Sequence, residues 1–210
     1  MDYKQFTSAD LNYQLWYLYE QVTGGGSGGP MPVTGPLTNT ELRALPVVTV
    51  GVTAKVSATF TRPADTTAYA SGDLAANSVT AGSVVPMSFA IARVAAGTGM
   101  IRRVRIRKSG TSITNSSFRL HLYTTSPTVT NGDNGAWLST QSATYMGGMD
   151  VNVNRAFSDG AGGNGTPIDG SEINFALPSG QTIYGLLEVR GAYTPASEEV
   201  FVIELEVLQN

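Results

Sequence analysis

Cysteine is absent from the 210 residues, histidine occurs once, and charged residues make up only 14% of the chain. The first absence excludes disulfides, a thiolate nucleophile and any cysteine-based zinc site, so stability has to come from packing or assembly. It leaves the redox compartment open. The low charge stands against about 25% for a typical soluble domain, and it is accompanied by 24 glycines and many Ser, Thr and Asn, a profile of short strands joined by turns. No apolar run approaches the roughly 18 residues that would span a bilayer. The first residues, MDYKQFTSAD, lack the basic and apolar regions of a signal peptide, so the expectation is a soluble protein made in the cytosol. A net charge of −3 and a pI near 5.1 argue against nucleic acid or an anionic membrane as the main partner.

Apolar residues are present in sufficient number for one core, at 41% with nine Tyr, seven Phe and two Trp. The length fits one domain of ordinary size plus an appendage. The appendage comes first. Leu11, Leu15, Leu18 and Val22 recur with helical spacing, which predicts a helix over about residues 8–22. Thr7 with Asp10 forms a variant capping box, and Phe6 with Leu11 a hydrophobic staple. Tyr13, Trp16, Tyr17 and Tyr19 make more than one side of that helix adhesive, and a helix this short is marginal alone, so it should dock on something. Residues 23–30, TGGGSGGP, read as a flexible spacer. A second capping box, Thr38 with Glu41, stapled by Leu37 and Leu42 and stopped by Pro46, predicts a single helical turn.

From Pro46 the period of the pattern becomes two. Val48, Val50, Val52, Ala54 and Val56 alternate with polar or small residues as in a half-buried strand. Comparable runs carry Met87, Phe89 and Ile91; Val104 and Ile106; Phe118, Leu120 and Leu122; Ile173 and Phe175; Ile183 to Val189; and Phe201, Ile203, Leu205 and Val207. Residues 131–135 (NGDNG) and the stretch from Ser158 to Gly170 read as turns. About eight to ten strands without helical crossovers predict an all-β domain over 46–210, an antiparallel β-sandwich or jelly roll. The chain thus divides into an anchoring helix (1–22), a linker with a capped turn (23–45) and a β domain (46–210).

Motifs for catalysis are present only out of context. Residues 25–29 (GGSGG) match a nucleophile elbow, but no strand precedes Ser27 and no helix follows it. Residues 160–165 (GAGGNG) match a dinucleotide fingerprint without its strand and helix, so no cofactor is expected. Asp159 and Asp169 in the same stretch could offer oxygens to calcium, but their spacing fits no calcium loop, and no metal site is assigned. His121 should face away from Leu120 and Leu122 and lacks a partner ligand near it in sequence. Glu204 and Glu206 should face outward on the last strand. These contexts predict a protein that is not an enzyme.

The segment Arg102 to Lys108 holds five of the 13 basic residues. On a strand Arg103, Arg105 and Arg107 project from one face while Val104 and Ile106 enter the core. Cross-strand pairing with Glu204 and Glu206 is one reading, and a subunit interface with an acidic partner is another, since arginine is favoured there. Nucleic acid fits less well, because aromatic residues are not interleaved with the arginines in sequence.

Two stretches carry a resemblance. Residues 35–47, GPLTNTELRALPV, are similar to a segment that precedes β domains in bacteriophage structural proteins. Residues 60–73, FTRPADTTAYASGD, followed after a gap by 118–123, FRLHLY, resemble the β domains themselves. The resemblance implies a virion protein, made in the bacterial host cytoplasm, that decorates the capsid or forms a head fibre or tail fibre; the family has no catalytic residues to carry over. A sticky helix on a spacer leans towards capsid decoration or a head fibre, with Phe6, Leu11, Leu15, Trp16, Leu18 and Val22 anchoring on the major capsid protein or another virion protein. A homotrimer is implied by analogy. The alternative is a receptor-binding module for a host-surface glycan, with Trp137, Tyr145 and Tyr193 as exposed aromatics, although a tryptophan in a setting like that of Trp137 more often anchors its loop to the core than serves as a sugar platform.

Overall fold

A computed structural model describes residues 51–138 and 144–210. The expected helix with its anchor residues Phe6, Leu11, Leu15, Trp16, Leu18 and Val22, the spacer, the capped turn and the strand positions Val48 and Val50 lie outside the described residues. The remainder is all β. Eleven strands follow in order: β1 (Val52–Thr61), β2 (Leu74–Ala75), β3 (Met87–Ala90), β4 (Thr98–Lys108), β5 (Ser117–Tyr123), β6 (Tyr145–Asn152), β7 (Arg155–Phe157), β8 (Gly160–Pro167), β9 (Ile173–Ala176), β10 (Thr182–Val189) and β11 (Val200–Gln209). They form one antiparallel sheet in the order β1-β11-β4-β8-β6-β5-β10-β2, with β3 on β10, β7 on β8 and β9 on β4.

Alternation decides which side of the sheet is buried. Phe201, Ile203, Leu205 and Val207 on β11, Val104 and Ile106 on β4, Phe118, Leu120 and Leu122 on β5 and Ile183, Leu187 and Val189 on β10 all enter one core. Successive side chains point to opposite faces, so the intervening residues line the outer surface. The sheet must curl strongly. Phe118 on β5 and Phe201 on β11 are separated by three strands in the sheet, yet their rings meet edge to face at 5.4 Å, and Phe201 stacks on Phe60 at 5.2 Å. A smaller cluster on the other side of β10 joins Leu186 to Leu74, Ala76, Val84, Tyr123 and Val129, so β10 is covered on both faces.

The stretch from Ser158 to Gly170 is corrected by the structure, since Gly160–Pro167 is a strand lying between β4 and β6. Its glycines are a packing requirement rather than a sign of a turn. A Cβ on Gly163 would lie 2.2 Å from the Asn152 carbonyl oxygen, and one on Gly165 would lie 2.0 Å from that of Asp150. No other residue fits so close to the neighbouring backbone. β6 and β7 run one after the other along β8 and are joined to it through Ser158 and Asp159. A register shift between Glu206 and Val207 leaves Arg102 as an extra residue in β4, a bulge that exposes Arg102 and Arg103 together.

Candidate functional site

Two buried charge networks come first because they hold the loops that frame the surface. Arg62 follows β1 and is 2% exposed; its Nη2 donates to Asp133 Oδ2 at 2.6 Å, and its Nε donates to the Tyr69 hydroxyl. Asp133 Oδ1 also accepts from the Tyr69 hydroxyl and from the Ala76 backbone N–H, both at 2.7 Å. The turn at 131–135 is therefore pinned from inside by its own aspartate. At the end of β4, Lys108 Nζ donates to Glu199 Oε1 at 3.0 Å, to the Tyr193 hydroxyl at 2.9 Å and to the Gly110 carbonyl at 2.9 Å. Burial lowers the Lys108 pKa, and Glu199 offsets part of that effect. Tyr193, expected as an exposed aromatic, is 0% exposed, because its ring stacks on Tyr69 and its hydroxyl donates to Glu199. These groups are structural anchors without access to a ligand.

The outer face of β5, β6 and β10 carries a second group. His121 faces away from the leucines, as alternation requires, but it is only 8% exposed and not a solvent-facing residue. Its Nε2 lies 2.8 Å from Glu188 Oε2, and Trp137 stacks on its ring at 4.1 Å. Arg190 Nη1 donates to the other oxygen of Glu188 at 2.8 Å. Burial pushes the Glu188 carboxyl up, but hydrogen bonds from His121 and Arg190 outweigh it and hold the pKa below the ordinary value. Beside it Arg119 forms a two-pronged pair with Asp150 at 2.6 and 2.8 Å, and the hydrogen bond from Arg119 holds Asp150 low as well. Tyr145 is 41% exposed, and its hydroxyl lies over Gly148. Trp137 is half-buried and packs against the smaller cluster.

The basic strand faces outward on the neighbouring part of the sheet. Arg103 donates to Glu206 Oε2 at 2.5 Å, Arg105 lies 3.6 Å from Glu204 and reaches Asn164 on β8, and Lys55 approaches Glu204 from β1. Cross-strand pairing thus accounts for two of the three arginines. Arg107 stands opposite Val202, and among the described residues it has no carboxylate partner.

The structure separates the other expected chemistry. Ser27 lies outside the described residues. The glycine fingerprint at 160–165 sits within β8, far from any helix N-terminus. Asp159 and Asp169 flank opposite ends of that eight-residue strand, about 25 Å apart at roughly 3.3 Å per residue, so they cannot share an ion. Among the described residues, no three His, Asp or Glu side chains converge as metal ligands, no hydroxyl bonds to His121, and no helix is long and apolar enough to cross a membrane. Sequence reading missed Asp133 as an anchor, the Arg119–Asp150 pair, and the exposed Arg155 and Phe157 on β7. Register alone reveals the last two of these, the Arg119–Asp150 pair through β5 with β6 and the β7 residues through β7 with β8. Comparison with protein-family models and with curated proteins finds no match.

Proposed function

We propose that this chain is a structural protein of a bacteriophage particle, decorating the capsid or forming a head fibre, with the β unit outward and residues 1–22 as its arm. The observation that carries the reading is the role of the residues in the stretch resembling phage β domains. Arg62 and Tyr69 build the buried network with Asp133, the half-exposed Asp65 lies beside Arg62, Gly72 takes a positive φ of 97°, and Asp73 accepts from the Ala70 N–H at 2.6 Å. A shared motif made of such anchors encodes architecture rather than a reaction. Curling of one antiparallel sheet around its main core supports a sandwich-like or jelly-roll description. A non-enzymatic role is supported by His121, whose ring is packed under Trp137 and whose bonded partner is a carboxylate already held by Arg190. Phe6, Leu11, Leu15, Trp16, Leu18 and Val22 would seat on the major capsid protein or another virion protein, and trimerisation is part of the same reading. Deleting residues 1–30 tests it: loss of incorporation into particles with a folded β unit is expected, and unchanged incorporation refutes the anchor.

A second reading is favoured by one specific place. Exposed Tyr145 beside the fixed Arg119–Asp150 pair offers an aromatic plane next to oriented donors and acceptors, the combination a host-surface glycan requires. A glycan array probed with residues 46–210 distinguishes it, and null binding removes it.

A further inference from the structure

The start of β8 is backbone covered by its neighbours, since Gly160 to Gly163 are all buried. Gly162 pairs with Arg107 of β4 on one side and with Arg155 of β7 on the other, and Gly160 pairs with Phe157. Directly paired residues of antiparallel strands point to the same side, so these side chains and both glycines share the outer face. Ala161, between the glycines, points into the core. Arg107 and Arg155 stand two inter-strand spacings apart, roughly 10 Å, with the buried Gly162 between them and the Arg107 side chain against it. Arg155 and Phe157 are exposed, and Phe157 is 56% exposed.

The charge on this strip is unbalanced. Among the described residues neither Arg107 nor Arg155 has a carboxylate partner, while Arg105, one row away, is served by Glu204 and Asn164. The nearest acid in sequence is Asp159, exposed in the turn beyond Phe157. Two exposed guanidinium groups on the same side of the sheet are suited to carboxylates, which they bind through parallel N–H bonds. An exposed phenyl ring beside them adds an apolar contact of the kind found at interface centres.

We infer that the exposed side chains of Arg107, Arg155 and Phe157, set on either side of the buried Gly160–Gly162 backbone, form a docking site for an acidic segment of a partner protein. Charge complementarity selects the occupant. A nucleic-acid backbone needs a long run of cations, whereas Glu204, Glu206 and Asp150 interrupt the cationic side chains of this face within a few strands. A short peptide bearing carboxylates and one apolar side chain can engage all three exposed side chains. Such a site extends the view of the β4 arginines as contact residues but does not depend on the particle, and it adds Arg155 and Phe157.

The test uses the full chain and fluorescence anisotropy with three labelled probes: a Glu/Val peptide containing one Phe, the same peptide with Lys for Glu, and oligothymidylate. Binding of the acidic peptide alone is expected. The pair Arg107→Glu and Arg155→Glu should weaken it by roughly tenfold or more, as loss of two partly exposed ion pairs implies, and Phe157→Ser should weaken it further. Arg93→Glu, a reversal at an exposed site elsewhere, should change nothing. Because all the altered side chains are exposed, circular dichroism should show the same sheet throughout; if the reversals unfold it, Arg107→Gln with Arg155→Gln takes their place. Absence of acidic-peptide binding, binding indifferent to these substitutions, or preference for oligothymidylate overturns the inference. Those outcomes leave the incorporation assay with residues 1–30 deleted as an independent measure of the particle reading.

Discussion

Lys108 and Glu199 form an ion pair with both side chains at 0% exposure, and such a pair contributes to stability in an asymmetric way. Removing one partner strands a buried charge, whereas replacing both leaves an apolar core to fill. Lys108→Met is therefore expected to cost about 3–5 kcal/mol in urea unfolding, while Lys108→Met with Glu199→Leu should cost clearly less than the single change. Additive losses would show that the two groups are not coupled. Glu188 makes a separate, pH-dependent contribution. Its folded pKa lies below the ordinary value of 4.5, so the stabilisation is complete above that value and is lost as pH falls through the depressed folded one. Asp150, also held low by Arg119, adds to the same window. Urea midpoints measured from about pH 6 down to about pH 3 should fall less steeply for Glu188→Gln than for the unaltered chain; parallel curves would contradict the role of His121 and Arg190 as its partners. Neither network is legible in the sequence. Asp133 sits in a stretch whose composition specifies a turn, and nothing local distinguishes an aspartate that faces inward from one that faces water. Alternation places His121 on the correct face of β5, but the covering ring of Trp137 comes from a loop that the period of a strand does not report.

Strands with apolar residues at every second position are readable because burial on one side is written directly into such a pattern; β11, with Phe201, Ile203, Leu205 and Val207 all at 0% exposure, is the clearest case. β8 is not, since its sequence, GAGGNGTP, offers little apolar surface and resembles a turn. β6, YMGGMDVN, buries Met149 and Val151, but Gly147 and Gly148 interrupt the apolar period before them. Close backbone approach, rather than side-chain burial, defines β8, and that constraint becomes visible only once the neighbours are placed. It also makes a sharp prediction about a single element. Gly165→Val would force atoms into the space of the Asp150 carbonyl and should destabilise the sheet by on the order of 3 kcal/mol. Asn164→Val, one position away on the exposed outer face, should be tolerated or mildly stabilising, because a β-branched residue suits a strand. Thermal melts of the two variants provide the comparison, and equal effects would mean that the glycines of β8 serve conformation rather than packing. The candidate surface inherits the same limit. The arginines of β4 are evident from their spacing, but Arg155 and Phe157 join them only through the pairing of β7 with β8.

At the scale of the molecule, the first and last strands of the described unit are partners. β1 pairs with β11 from Val52 opposite Gln209 to Thr61 opposite Val200, and β11 in turn separates β1 from β4. The C-terminal strand is thus an interior member of the sheet, with Phe201, Ile203, Leu205 and Val207 in the core. Sheet formation therefore requires contacts between residues more than a hundred positions apart, so refolding should be slow for the size of the unit, in the range of milliseconds to seconds. Removal of residues 200–210 should abolish the cooperative transition altogether, because it detaches β1, leaves the edge of β4 unpaired and takes Phe201, Ile203, Leu205 and Val207 out of the core. Removal of residues 1–48 should leave that transition in place, since Thr49–Asn210 forms a compact unit of its own. Urea unfolding followed by circular dichroism distinguishes these outcomes. A chain lacking 200–210 that still unfolds cooperatively would show that β11 is not the interior strand joining β1 to β4. A chain lacking 1–48 that fails to fold would make the arm a part of the core, and the separation of anchor from displayed β unit on which the particle reading rests would be lost.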